Sequence, residues 1–385
     1  MIRVGYIAGE PNPSRVPHLD RIAARDDLEL TVVYASSTVH RRTWTLQFEY
    51  PPIILRGPRL PLARVLHHDY PLTPQIWRLL TRLRFDVLVI GGWSLLATQL
   101  AIVWARTHGV PYLLISENHL REARPAWVSL VKRLVLRHVV PAASGHLVTG
   151  SLARQHALHY GARADRITVF PNTIDVPAYR AAAEELRARR NEIREELGIA
   201  PETVVVLQVA RLIPVKGPDE TLEAVALAST LTDRRLHLLT VGDGPLRPTL
   251  ERRARDLGLH ATFTGFRQGA GLLECYVAAD VFALFSRRET WGIVVNEAAA
   301  AGLPLVLTSA VGAGADLLRP GENGELVESG DVEGQARAIA RLADDGELRA
   351  RYGRRSSELI ESWGYERSVE EFAAAVRVAA GDAHS

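Results

Sequence analysis

A chain of 385 residues is longer than one ordinary hydrophobic core organises and suits two domains. With 47% hydrophobic residues, 23% charged residues and a formal net charge of +2, it is neither a disordered chain nor a polyelectrolyte tail. The one cysteine, Cys275, excludes an intramolecular disulfide framework; it reads as a small buried hydrophobe and fits a reducing compartment.

The run from Ile2 to Ala8 reads as a first strand, too short and too early for a signal peptide. Further strands are predicted at 28–34, 87–90, 112–115, 146–148 and 167–170, with helices at 75–83, 94–108 and 127–140 between them. Alternating strands and helices imply a parallel sheet covered on both faces. Residues 51–61, bounded by prolines, read as an exposed loop. Residues 178–197 are rich in Ala, Glu and Arg and read as one helical connector, ended by Gly198. A second series of strands follows at 204–209, 236–241, 261–264, 281–285, 305–308 and 324–327, then a last helix at 368–379. The domains are therefore drawn at 1–177 and 178–365, with a terminal segment 366–385.

Charge is unevenly divided: residues 1–180 hold 22 Lys and Arg against 12 Asp and Glu, the rest 24 against 32. A basic first half points to an anionic acceptor or an anionic membrane surface, or is the uneven scatter of an Arg-rich chain. Nucleic acid is set aside, because no zinc-ligand spacing, paired RNA-binding aromatics or basic coiled-coil region is present. No apolar run reaches the ~20 residues that span a bilayer. The 127–140 helix is amphipathic and basic. It reads as a helix burying one face in its own domain, with a membrane-surface helix as the second reading. His67, His68 and Asp69 do not read as a metal site: adjacent histidines on an extended chain point apart, and no further ligand is suitably spaced.

The densest chemistry lies at 286–304. A polar loop after the 281–285 strand carries Glu289, and the short helix after Gly292 carries Glu297, eight residues on; Gly302 and Pro304 close the helix. The backbone N–H groups of Gly292, Ile293 and Val294 open that helix and are suited to an anion. The turn falls at the carboxyl end of a strand, where open α/β sheets bind ligands. Upstream, Arg211 and Lys216 stand on a loop held by Pro214 and Gly217, which places two cations around one diphosphate. Gly242 and Gly244 form a turn after the next strand and allow close backbone approach.

This set of motifs resembles retaining glycosyltransferases of the family 4 type, which have the GT-B fold. The match is carried by the Glu-x7-Glu pair, the Arg211–Lys216 loop with Ala210 where the family has Gly, the Gly-x-Gly-Pro turn at Gly242, and the segment Phe263 to Phe266. Pro171-Asn172-Thr173 stands where the family has Pro-Asn-Gly. The resemblance is dense in the second half and loose in the first. It implies an α/β protein of two Rossmann-like domains facing across a cleft. The C-terminal domain would bind a nucleotide-sugar donor and the N-terminal domain a hydroxyl acceptor, with the last helix packing back on the N-terminal domain.

It further implies that Arg211 and Lys216 stabilise the diphosphate leaving group and that Glu297 meets the ribose. Glu289 would meet the transferred sugar, and Gly292, Ile293, Val294 and Gly242 would lie along the donor. In the first domain it points to Gly9 or Ser14 at a phosphate or the acceptor, and to His119, with His18 as a weaker choice, at the sugar. No metal and no resident cofactor are expected, since the two cations do the work of a divalent ion. A cytoplasmic protein is implied, touching the inner membrane face on the second reading of its charge. The alternative is a non-hydrolysing nucleotide-sugar epimerase or a sugar phosphorylase of the same fold.

Overall fold

The computed structural model describes residues 1–38, 46–60, 69–120 and 126–382, with side chains described for all of these except 126–131 and 382. His67 and His68 lie outside the described residues, as do the side chains of Trp127, Leu130 and Val131 on the amphipathic 127–140 helix. The chain folds as two compact units, Met1–Asn172 with Tyr365–Ser385, and Thr173–Gly364.

The first unit holds a seven-stranded parallel sheet. Its strands are β1 Ile2–Ala8, β2 Leu28–Tyr34, β3 Ile53–Ile54, β6 Val87–Gly91, β7 Tyr112–Ser116, β8 Gly145–Val148 and β9 Ile167–Val169, in the order β3-β2-β1-β6-β7-β8-β9. A separate antiparallel pair joins β4 Arg59–Leu60 to β5 Tyr70–Pro71. Residues 51–61 are therefore not merely a loop: Ile53 and Ile54 pair with Val33 and Tyr34 and extend the sheet by one edge strand. The two isoleucines are too few to register as a periodic pattern.

Side chains alternate faces along each strand, as the two-residue period requires. Leu88 and Ile90 of β6 face one core with Ile76, Leu80 and Trp104 of the helices Ile76–Leu83 and Leu96–His108. Val87 and Val89 face the other core with Val4, Leu19 and the terminal helix Tyr365–Asp382, which supplies Phe372 and Val376, both fully buried. That helix is part of the first unit although 192 residues of the second unit precede it.

The second unit repeats the scheme. Its strands are β10 Val204–Val209, β11 Leu236–Val241, β12 Ala261–Gly265, β13 Val281–Leu284, β14 Leu305–Thr308 and β15 Gly324–Val327, in the order β12-β11-β10-β13-β14-β15. All neighbours are parallel. Strand order reverses beside β10, so the carboxyl ends of β10 and β13 form the switch point of a doubly wound sheet. Val205 and Leu207 face one core, Val204 and Val206 the other.

The segment read as one connector is two helices, Val176–Arg187 and Arg190–Glu196. It is not a solvated linker either. Arg190 and Arg194 grip Asp280 at 2.7 Å each, and their remaining N–H groups donate to the carbonyls of Val277, Ala278 and Ala279 at the end of the helix Ala270–Ala278. Asp280 also accepts from the N–H of Val205 at 2.8 Å, which ties the pair of helices to the start of β10. A helix end leaves carbonyls without intrahelical partners, and arginines satisfy them here.

Candidate active site

Three loops leave the carboxyl ends of β10, β11 and β13 in the second unit and pack backbone to backbone. Gly217 has φ of 61°, and a Cβ there would sit on the Phe285 carbonyl oxygen. A Cβ on Gly242 would likewise sit on the Ala210 carbonyl. Glycine is required at both positions, because any side chain would force the loops apart. The loops are also stapled by charge: the Arg287 N–H donates to the Val215 carbonyl at 3.0 Å, and its guanidinium holds Glu220 at 2.6 Å and Asp219 at 2.9 Å.

This close docking brings Lys216 and Glu289, 73 residues apart, into a direct ion pair; each side chain is about one-sixth exposed. Glu289 belongs to a stiff stretch, its N–H donating to the Ala310 carbonyl at 3.1 Å and its carbonyl accepting from Gly312 at 3.0 Å. Its Cγ lies against Gly292, 3.1 Å from where a Cβ would stand. Gly292 has φ of 94° and opens the helix Ile293–Ala300. Among the described residues, nothing accepts the N–H groups of Gly292, Ile293 or Val294. Lys216, Glu289 and this helix start thus form one cluster: a cation, a carboxylate and outward backbone donors. Arg211, at the carboxyl end of β10, is exposed on the same loop as Lys216.

Glu297 lies one turn into that helix, in a different environment. The buried Tyr276 hydroxyl donates to its Oε2 at 2.7 Å and lies 3.3 Å from the Val294 carbonyl. Burial of the carboxyl pushes its pKa from the usual carboxylate range up to about 7, against the lowering effect of the Tyr276 hydrogen bond. Tyr179, from the helix Val176–Arg187, stands edge-on to Tyr276 with ring centroids 6.3 Å apart. Its hydroxyl is buried and has no hydrogen-bond partner among the described residues. Cys275 is fully buried, its thiol pushed up to about 11 by burial.

The helix start is braced from below. The Trp291 indole donates to Asn296 at 3.0 Å, and Asn296 donates to the Thr173 hydroxyl at 3.3 Å. Thr173 in turn donates to the Trp363 carbonyl. The threonine that replaces a glycine in the motif is therefore a buried hydrogen-bonding joint, not a left-handed turn. Phe266, just past β12, is 67% exposed, unusual for so large an apolar ring.

In the first unit, the loops at the carboxyl ends of β1, β7 and β9 meet at a buried arginine. Arg15, 6% exposed, donates to Asn172 at 2.6 Å and to the Pro171 carbonyl at 3.2 Å, and lies over the Phe170 ring. Asn172 donates to Glu117 at 3.1 Å. His119, two residues on, is 3% exposed. Gly9 accepts from the Ser36 N–H at 3.0 Å, and the Ser14 hydroxyl donates to Asn12 at 2.9 Å, so both are engaged in shaping their own loops. His18 is wholly buried between Phe170 and Tyr365, with its pKa well below the usual histidine value through burial. It presents no face to solvent. Arg15, Tyr276 and Tyr179 carry no motif and escape a reading by spacing. Only folding shows that they meet the named residues. Near β2, a cavity of about 490 Å³ is lined in part by Ser36, Ser37, Arg56 and Arg59. Among the described residues, no group of three or more His, Cys, Asp or Glu is arranged to hold a metal ion, and no helix is long and apolar enough to cross a membrane.

Two family profiles match the chain: a glycosyl transferase 4-like domain over residues 18–173 and glycosyl transferases group 1 over residues 189–359. Among curated relatives, the D-inositol 3-phosphate glycosyltransferase of Corynebacterium glutamicum is 33% identical over 267 residues, 67% of this chain and 63% of that protein. The sulfoquinovosyl transferase SQD2 of Arabidopsis thaliana is 28% identical over 320 residues, 79% of this chain and 60% of that protein. The matches thus span less than two thirds of these relatives' own lengths. Among solved structures, Alr3699/HepE of Anabaena, in complex with UDP and glucose, superposes with a TM-score of 0.72 at 20% identity, covering 97% of this chain and 99% of that one. Sucrose-phosphate synthase from Thermosynechococcus elongatus gives 0.70 at 17% identity, covering 98% of each chain. With a doubly wound sheet in each unit and one profile falling on each half, the chain belongs to the family 4 type of glycosyltransferases, with the GT-B architecture.

Proposed function

We propose that the protein transfers a sugar from a nucleoside-diphosphate sugar to a hydroxyl acceptor with retention of anomeric configuration and without a metal ion. The observation that carries this reading is the cluster of Lys216, Glu289 and the helix start at Gly292. Lys216 and Arg211 neutralise the diphosphate, and the N–H groups of Gly292, Ile293 and Val294 donate to its oxygens. Charge grows on the diphosphate as the bond to the anomeric carbon breaks, and preformed donors there lower the barrier. Glu289 positions the sugar and stabilises the positive anomeric centre. The acceptor oxygen bonds to the anomeric carbon on the face the diphosphate leaves, and its proton passes to a departing phosphate oxygen. Glu297 accepts from the ribose hydroxyls, Gly242 lies along the donor, and the exposed Phe266 offers the base a stacking face. The acceptor belongs to the first unit, near His119 and Gly9.

Relatives named as glycosyltransferases, and a fold neighbour holding UDP and glucose, support a nucleotide-sugar donor. The test is thermal unfolding with UDP, GDP, ADP, CMP and dTDP, each with and without magnesium. A ligand at 100 times its dissociation constant stabilises the folded state by about 2.7 kcal/mol. One diphosphate raising the midpoint without magnesium, and failing to do so in Arg211→Ala, supports the reading and names the donor class. No shift with any nucleotide rejects it.

A further inference from the structure

We infer that Tyr276 is a positioning residue for the donor: its hydroxyl fixes the Glu297 carboxylate in the orientation and charge state that receives the ribose. The inference rests on the proposed function for its ligand, but its geometry stands independently. Tyr276 is fully buried, so its hydroxyl is not kept for solubility. It reaches from the helix Ala270–Ala278 to the first turns of the helix Ile293–Ala300, meeting Oε2 of Glu297 at 2.7 Å beside the Val294 carbonyl. Val294 is one of the residues whose N–H opens towards an anion, so one side chain braces both the carboxylate and the helix start.

A partly buried carboxyl that must accept hydrogen bonds faces a conflict. Burial favours its neutral form, which has lost acceptor capacity and gained a donor. The Tyr276 hydroxyl opposes that, because donation to the carboxylate favours the ionised form. Tyr276 and Cys275 come from the helix Ala270–Ala278, and Tyr179 comes from the helix Val176–Arg187. Arg187 of the latter donates instead to the Ala301 carbonyl at the far end. The helix Gly346–Glu361 packs with Ser357 towards the Ala299 carbonyl, and Asp316 stands on the short turn Gly314–Leu317. Glu289 of the preceding loop is paired with Lys216. Among the described residues, Tyr276 is the one that donates directly to Glu297, so it is the lever on the carboxylate.

The test compares wild type, Tyr276→Phe and Glu297→Gln. In the ligand-free protein, 13C-carboxyl NMR follows the titration of Glu297, its resonance identified by its loss in Glu297→Gln. In Tyr276→Phe the midpoint moves to higher pH; an unmoved midpoint overturns the inference whatever the substrate. Calorimetric titration with UDP, or with whichever diphosphate stabilises the wild type, then reads the consequence. Tyr276→Phe weakens binding about tenfold at pH 7, the size of one hydrogen bond to a charged group, and the gap narrows at pH 8.5, where the carboxyl ionises in both. Equal affinity across pH rejects the positioning role alone. A wild type that binds no diphosphate, with the NMR midpoint still shifted, rejects the proposed function and leaves the Tyr276–Glu297 coupling standing. Should Tyr276→Phe fail to fold, 3-fluorotyrosine at 276 keeps the hydroxyl and makes it a stronger donor. The Glu297 midpoint then moves to lower pH, and no movement overturns the inference.

Discussion

At the scale of single residues, the two glutamates of the Glu-x7-Glu pair differ more than their shared chemistry suggests. Glu289 is held by a cation on another loop, and Glu297 by a neutral hydroxyl under a helix. The pairing of Lys216 with Glu289 places it between exposed and buried ion pairs, so its loss in Lys216→Ala costs stability only about 1–2 kcal/mol. Under the proposed function the same change removes charge from the leaving group and lowers kcat/KM by roughly 100-fold or more. Urea unfolding and steady-state kinetics on one preparation separate the two, and a loss of activity no larger than the loss of stability would count against the role. Glu297 yields a pH prediction. Its folded pKa of about 7 lies above that of an unfolded carboxyl, so the folded state holds the proton more tightly. The stability it contributes is complete below the unfolded value, near pH 4.5, and is lost as pH rises through 7. That component, about 3 kcal/mol at most, disappears in Glu297→Gln, whose stability between pH 5 and 8 should be flatter than wild type; parallel curves would refute the assignment.

At the scale of elements, the site depends on loops that touch through bare backbone. Gly217 against Phe285 and Gly242 against Ala210 let three strand-end loops share a space in which a methyl group does not fit. The helix Arg190–Glu196 works at a distance from the chemistry but on the same sheet. Asp280 there joins Arg190, Arg194 and the Val205 N–H of β10. Removing it in Asp280→Ala leaves two guanidiniums, 34% and 11% exposed, without their counter-charge. Breaking such a pair from one side costs about 3 kcal/mol. Denaturant unfolding at neutral pH checks this, and a change below about 1 kcal/mol would show that the carbonyls of residues 277–279 alone satisfy the arginines.

At the scale of the whole molecule, the chain leaves the first unit at Asn172 and re-enters it at Tyr365. The terminal helix is part of the first unit's core, with Phe372 fully buried against Phe170 at 5.2 Å between ring centroids. Phe372→Ala should cost about 3–5 kcal/mol through lost burial and the cavity left behind. Hydrogen exchange locates that cost: protection falls in β1, β6 and β7 and is retained in β10, β13 and β14. Equal loss in both sheets would mean that the two cores do not unfold separately.

The strand series was legible in the sequence because parallel strands buried on both faces appear as short β-branched runs, and the runs at 204–209, 236–241 and 305–308 coincide with β10, β11 and β14. The edge strand at Ile53 and the break between Arg187 and Arg190 were not, since two residues carry no period and Ala-Glu-Arg composition favours helix on both sides of a break. Spacing along the chain likewise identified the carboxylates and cations of the candidate site by type. Spacing is silent on which of them meet, because contact between residues 73 apart depends on how closely two loops pack. The folded chain alone pairs Lys216 with Glu289, sets Tyr276 on Glu297 and buries His18. Burial and proximity, not residue type, decide which groups keep their charge and which face a substrate.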